Sequence, residues 1–323
     1  MPTTAPNHTT GRFRFDAHGT LDPAAADFFE DQGFLILEDA LSHHETEALN
    51  GDALNICRGG YGTYAGWAGP HDGQSDLNVL KQYLCIHFPH KFSPLMRDTL
   101  AHPALVETLT RLIGPDVKCM QSMLFIKAAG KPGQAWHQDE DYIPTRDRSL
   151  CGAWIALDDA TIENGCLWVI PGSHKPGVLW PQGLQQNPDF DCAEESVGFP
   201  YTDDDAVSVE VKAGSIVFFN GYLLHRSLPN RAPEGTCRRV LVNHYMSASS
   251  LLPWTGIGNT NHDTFVDNSR TVAKCDVRDI VMVAGKDPYA WMGTNEVFKP
   301  HVRPSGEGGC SRGTESSSGS APN

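Results

Sequence analysis

At Val117 the chain changes character, and that change limits what it can fold into. From there on the apolar runs are short and are broken by turn signals such as Asn164-Gly165, Pro171-Gly172 and Ala213-Gly214. They read as strands near residues 117–127, 135–138, 151–158, 166–170, 207–211, 215–219 and 237–246. Many short strands with Gly/Pro turns predict a mainly β fold, a double-sheet jelly roll of the cupin-like kind with flanking α-helices.

The helices are expected in the first third. Asp22-Pro23 starts one that runs through Phe28 and Phe29. Ser42, with Glu45 at the capping-box position, starts a second that reaches about Cys57, and Pro103 to Ile113 is a third, closed by Gly114-Pro115. Between the first two, residues 33–37 read as a short strand. Residues 58–76 are rich in Gly and aromatics with no helical or strand period, and suit a mobile cover. Residues 180–206 and 247–300 read as long loops or lids. One domain is expected over 16–303, between a mobile N-terminus (1–15) and a tail from Pro304 too poor in apolar residues to order itself.

Composition narrows the function classes. With 39 acidic and 25 basic residues the formal charge is −14, and no basic stripe marks a nucleic-acid binder. No apolar run is long enough to span a bilayer, and the N-terminus lacks a secretory apolar segment. The nine cysteines are scattered with no C-x-x-C pair, which argues against a disulfide framework or a zinc site and for a reducing cytoplasm.

Chemistry concentrates in Trp136-His137-Gln138-Asp139 and, far downstream, His225. On a strand, residues i and i+2 face the same way, so His137 and Asp139 can reach one ion while Gln138 points away. Two imidazoles and one carboxylate on one face suit non-haem Fe(II), with the opposite face open. Taken alone an H-x-D pair is a weak signal. His8, His43, His44, His71, His262 and His301 have no such context and read as surface residues. His174 reads as a loop donor, and His244 as a core histidine with a satisfied hydrogen bond.

The longer motifs carry a resemblance. HQDEDY at 137–142, AWIALDDATIENGCLWVIPGSHKPG at 153–177, KAGSIVFFNGYLLHRS at 212–227, the pair Arg238-Arg239 and DQGFLILEDALS at 31–42 together resemble the phytanoyl-CoA dioxygenase family of Fe(II)/2-oxoglutarate-dependent oxygenases. The resemblance implies a double-stranded β-helix using Fe(II), 2-oxoglutarate and O2. It implies His137, Asp139 and His225 as iron ligands and Arg238 as the residue gripping the distal carboxylate of 2-oxoglutarate. A guanidinium can do this with two parallel hydrogen bonds and stay charged when buried. Trp154 is similar to the family's wall beside the cosubstrate. Lys81 and Met123 stand at positions similar to cosubstrate contacts, and Ser227, two residues beyond His225, and Gln121 are candidates to hydrogen-bond the same carboxylate as Arg238. The gap between His225 and Arg238 leaves Arg231 or Arg239 as alternatives, and Arg239 reads more simply as a surface ion pair.

Asp139 stands where related halogenases carry a small residue, so hydroxylation is expected over halogenation. The expected substrate is a small metabolite or natural-product intermediate, with succinate and CO2 released. Asp141, Tyr142, Arg146 and Arg148 are candidate substrate contacts, with lid segments 58–76 and 250–262. No basic cluster suits the phosphates of CoA. Desaturation, epoxidation or ring formation with the same cofactors remains an alternative, as does a cupin-type isomerase or ligand-binding protein. Oligomeric state cannot be read from the sequence.

Overall fold

Alternation along one strand sorts the core into two layers. In β11 (Ile216–Asn220), Ile216 and Phe218 join a cluster with the helices, whereas Val217 and Phe219 join a cluster between two sheets. Successive strand residues face opposite ways, so a strand this apolar is buried on both faces. In the computed structural model, which describes residues 10–191, 194–253 and 276–305, β11 lies within a nine-stranded sheet. The order is β1 (Arg12–Phe13), β2 (Phe34–Leu37), β11, β6 (Cys151–Ala156), β13 (Cys237–Ser247), β4 (Val117–Ala128), β3 (Tyr83–His87) and β15 (His301–Pro304). β14 (Val281–Ala284) also pairs with β4. A second sheet runs β10 (Val207–Val209), β7 (Leu167–Val169), β12 (His225–Ser227), β5 (Gln134–His137). Trp154, Val217 and Val242 of the large sheet and Leu167, Val169 and Val209 of the small one share the inner cluster. This is the expected mainly β jelly roll.

Helices cover the outer face of the large sheet. α1 (Ala24–Gln32), α2 (His43–Cys57) and α5 (Pro103–Leu112) contribute Phe29, Leu49, Ala53, Ile56, Leu105 and Leu109 to the outer cluster. α2 starts with the capping box read from the sequence: Ser42 N–H donates to Glu45 Oε2 at 2.7 Å and Glu45 N–H donates to Ser42 Oγ at 3.3 Å. The Ser42 hydroxyl, which also donates to Glu45 Oε2 at 2.7 Å, and then the Ser42 N–H hold the Glu45 carboxyl down at about 2. α1 ends at Gly33, whose φ of 81° is left-handed. A Cβ there would stand 2.4 Å from His174 Nδ1, so close packing demands glycine as well. Two shorter helices, α3 (Asp76–Leu80) and α4 (Pro94–Thr99), link α2 to β3 and β3 to α5.

Several elements differ from expectation. Arg12–Phe13, within the stretch expected to be mobile, form β1 in parallel with β2, and Phe13 is buried. The expected loop over 180–206 holds a hairpin of β8 (Gln182–Leu184) and β9 (Glu194–Ser196). The expected loop over 247–300 contains β14, and β15 follows it at the edge of the sheet beside β3. Short edge and hairpin strands bury little, so they carry no apolar alternation to read. Residues 1–9, lid positions 254–262 and the tail from 306 lie outside the described residues. Six of the cysteines, Cys57, Cys85, Cys119, Cys151, Cys166 and Cys237, are free thiols. No described helix is long and apolar enough to cross a membrane.

Candidate metal and cosubstrate site

His137, the last residue of β5, sits directly opposite His225, the first of β12, with ring centroids 4.0 Å apart. Each ring is fixed from behind. His137 Nδ1 donates to the carbonyl of Ala135 at 2.8 Å and His225 Nδ1 to that of Leu223 at 2.9 Å. Both Nε2 lone pairs are thereby aimed at a common centre, the tautomer a metal ligand needs. Asp139 is not on the strand, as the i, i+2 argument supposed. It opens a four-residue helical turn, α6 (Asp139–Tyr142). Its Oδ1 still lies 3.6 Å from His137 Nε2 and 3.5 Å from His225 Nε2. One donor atom from each of the three residues fits within 4.8 Å of the others, and all three residues are buried. Gln138 turns away and binds Val178 and Tyr222 carbonyls.

Electrostatics suit a cation at this point. Burial, then the neighbouring His225, pushes His137 down to about 3, so it stays neutral. Burial works against the charge on Asp139, but His225 and His244 overcome it and hold the carboxyl well below the usual range. Two imidazoles and one carboxylate converging on one point fit Fe(II).

A second charge stands on the inner face of the other, larger sheet. Arg238 is 2% exposed, sits with its guanidinium 5.2 Å over the Trp154 ring, and donates to the Gly165 carbonyl at 3.0 Å. Its Nε has no partner, and no carboxylate pairs with it among the described residues. Burial lowers it to about 10, which leaves it charged at neutral pH. Beside it, directly across the β13–β4 ladder, is Lys127, which donates to Ser227 Oγ at 2.9 Å and the Leu228 carbonyl at 2.8 Å. Burial, then Arg238, pushes Lys127 well below the usual lysine range. A buried guanidinium with no acid of its own, beside a buried lysine, fits a ligand carboxylate.

The neighbouring arginines are already engaged. Arg239 faces the other side and grips Asp158 with Nε and Nη2, each at 2.8 Å, and Arg231 pairs with Asp189 near the surface at 2.7 Å. Met123 and Gln121 lie on β4 opposite Val242 and His244, on the same inner face as Arg238. Lys81 is placed elsewhere, paired with Glu234 at 2.9 Å. Tyr142 approaches His137 edge-on at 6.2 Å, Asp141 is exposed, and Arg146 pairs with Asp276 at 2.8 Å. His71, expected at the surface, is buried against Tyr83, and His301 stacks on His87 at 4.3 Å. The sequence reading missed Lys127, and it missed that His244 bonds Asp139 itself, at 2.9 Å. Strand parity was the signal available for both, since Lys127 is four residues from Met123 and His244 six from Arg238.

A double-stranded β-helix with two histidines and one aspartate between its sheets defines the class of Fe(II)- and 2-oxoglutarate-dependent oxygenases. Within that class the chain belongs to the phytanoyl-CoA dioxygenase family, whose model matches residues 29–240. It is 38% identical over 153 residues to a phytanoyl-CoA dioxygenase of Arabidopsis thaliana, covering 45% of this chain and 50% of that protein. The chain thus spans only about half the length of that relative. It is 29% identical to the phytanoyl-CoA dioxygenase domain-containing protein 1 of Danio rerio, covering 69% and 89%. Among solved structures it is similar to the epimerase SnoN in complex with Fe3+, alpha ketoglutarate and nogalamycin RO. The TM-score there is 0.59 at 20% identity, over 81% of this chain and 100% of that one, a likeness of fold.

Proposed function

We propose that the chain is an Fe(II)- and 2-oxoglutarate-dependent dioxygenase that hydroxylates a small metabolite or natural-product intermediate, with release of succinate and CO2. One observation carries it: a buried His137–Asp139–His225 donor set at the small sheet and Arg238 on the large one, a buried guanidinium with no carboxylate of its own among the described residues, both face the space between the sheets. His137, Asp139 and His225 hold the iron. Arg238 and Ser227 take the far carboxylate of 2-oxoglutarate, with Trp154 as the wall and Gln121 and Met123 alongside. When bound, iron and 2-oxoglutarate supply the O2-driven oxidation that decarboxylates the cosubstrate and hydroxylates a substrate C–H bond.

The chain's own residues orient and enclose. The Ala135 and Leu223 carbonyls keep both imidazoles in one tautomer. Val217, Val242 and Trp154 keep the cosubstrate side dry, which strengthens the Arg238–carboxylate contact. Tyr142, edge-on to His137, meets Gln182 at 3.5 Å and is the candidate substrate contact nearest the donor set. Asp141 lies in the field of Glu194 on that side, and Arg146 is neutralised by Asp276, so no described cluster there suits CoA phosphates. The small-molecule complex named for SnoN supports the same substrate class.

The test is an anaerobic titration of Fe(II)-loaded protein with 2-oxoglutarate. A saturable visible absorption band is expected, and its absence would return the chain to a cupin-type metal protein. A substrate screen reading succinate then follows. A product heavier by one oxygen supports hydroxylation, whereas a product lighter by two hydrogens means desaturation or ring closure.

A further inference from the structure

Asp139 lacks the support that a strand would give it. It follows β5 and opens a helical turn of only four residues, so backbone pairing does little to fix its carboxylate. Something else must hold it, because a lone carboxylate can swing or bind an ion through both oxygens. His244 does this. Its Nε2 lies 2.9 Å from Asp139 Oδ2, whereas Oδ1 faces the two other imidazoles at 3.5 and 3.6 Å. An ionised carboxylate only accepts, so His244 Nε2 carries the hydrogen. The ring is 4% exposed, and its buried Nδ1 meets no partner among the described residues, so among them the bond to Asp139 is the one polar contact of this desolvated side chain. His244 also lies on the same strand as Arg238, six residues on and on the same face, opposite Gln121 and Gly152.

We infer that His244 is a positioning residue for the metal: it ties up Asp139 Oδ2 and leaves Oδ1 as the single oxygen offered to the ion. It does not ligate, because its Nε2 is already committed and its ring lies outside the three-residue donor cluster. Through β13 it also ties the metal's carboxylate to the strand that carries the cosubstrate's anchor. This rests on the metal-site assignment proposed above.

The test compares Fe(II) dissociation constants of the metal-free full chain and of His244→Ala, His244→Gln and Asp139→Ala, with apo melting curves alongside. Loss of an outer contact to a metal ligand typically costs 10–100-fold in affinity. His244→Ala is expected to weaken Fe(II) binding by about that factor and to shift the visible band of the Fe(II)–2-oxoglutarate complex. His244→Gln, whose amide N–H can reach the same oxygen, is expected to restore most of both. Wild-type affinity in His244→Ala, or equal weakening in the Ala and Gln variants, would overturn the positioning role. Wild-type affinity in Asp139→Ala would instead overturn the metal-site assignment itself, so the two failures are told apart.

Discussion

The Arg238 guanidinium lies 5.2 Å over the ring of Trp154, yet its Nε meets no acceptor among the described residues. A buried donor left unpaired costs about 1–3 kcal/mol, so the arrangement makes sense when a ligand carboxylate completes it. Arg238→Met is expected to weaken 2-oxoglutarate binding by about 30- to 200-fold, the loss of one charged hydrogen-bond pair. Fe(II) affinity should hardly change. Arg238→Lys should rescue poorly, because an ammonium cannot offer two parallel donors. Calorimetry with 2-oxoglutarate checks this, and an unchanged dissociation constant would remove Arg238 from the site.

Asp139→Ala and His225→Ala are expected to lose turnover and most Fe(II) affinity while the apo fold persists. Removing Asp139 also strands the buried His244 Nε2 hydrogen, so its apo protein should lose about 1–3 kcal/mol of stability without unfolding. Succinate release and far-UV dichroism check the pair. Near-normal succinate from either variant means the ligands lie elsewhere.

Next to Arg238, Arg239 is bound to Asp158 on the opposite face through two bonds of 2.8 Å. Asp158 also accepts the Arg239 backbone N–H at 2.8 Å. Arg239→Ala should therefore cost about 1–3 kcal/mol of unfolding free energy, and Asp158→Ala more, since it also strands a backbone donor. 2-Oxoglutarate affinity should be unaltered in both. Urea melts read the stability order, and the reverse order would contradict it.

How much of this was legible follows from where the signals live. Strands such as β6, β11 and β13 bury both faces, so continuous apolar runs announced them, and Ser42 with Glu45 announced α2. β15 and the β8–β9 hairpin carry polar side chains at an edge and announced nothing. The metal cluster was readable because His137 and Asp139 are close in sequence, although the turn that brings Asp139 round was not. Lys127 was hidden because a buried lysine looks like a surface residue until the ladder places it opposite Arg238, and His244, readable as a core histidine, gave no sign of its partner Asp139.

Two histidines outside the site make stability pH-dependent. Burial, then Lys91, lowers His90 to about 4, and burial, then His301, lowers His87 to about 3. In the unfolded chain both titrate near 6.5. Between those values the unfolded state binds more protons, so stability rises with pH there. The contribution is complete above about 6.5 and is lost progressively as pH falls toward 4. His90→Gln, which can keep the bond to Ser122 Oγ, should flatten the slope by up to about 1.4 kcal/mol per pH unit. Urea melts of metal-free protein from pH 4.5 to 7.5 measure it, and parallel slopes would count against His90.

Lys127 and Ser227 make the last prediction a coupled one. Lys127 Nζ donates to Ser227 Oγ at 2.9 Å, so the hydroxyl's own hydrogen is released from that side and can turn toward a carboxylate at Arg238. Ser227→Ala is then expected to weaken 2-oxoglutarate binding by about tenfold, one hydrogen bond to a charged group. Lys127→Met should weaken it by a similar factor or more, because it frees the hydroxyl to rotate and removes an ammonium that a bound carboxylate would favour. Residues in one hydrogen-bond network do not add, so the double variant should be much less than the product of the singles. Calorimetric dissociation constants for the four proteins close the cycle. Strict additivity would mean that Lys127 acts on the cosubstrate by charge alone and does not orient Ser227.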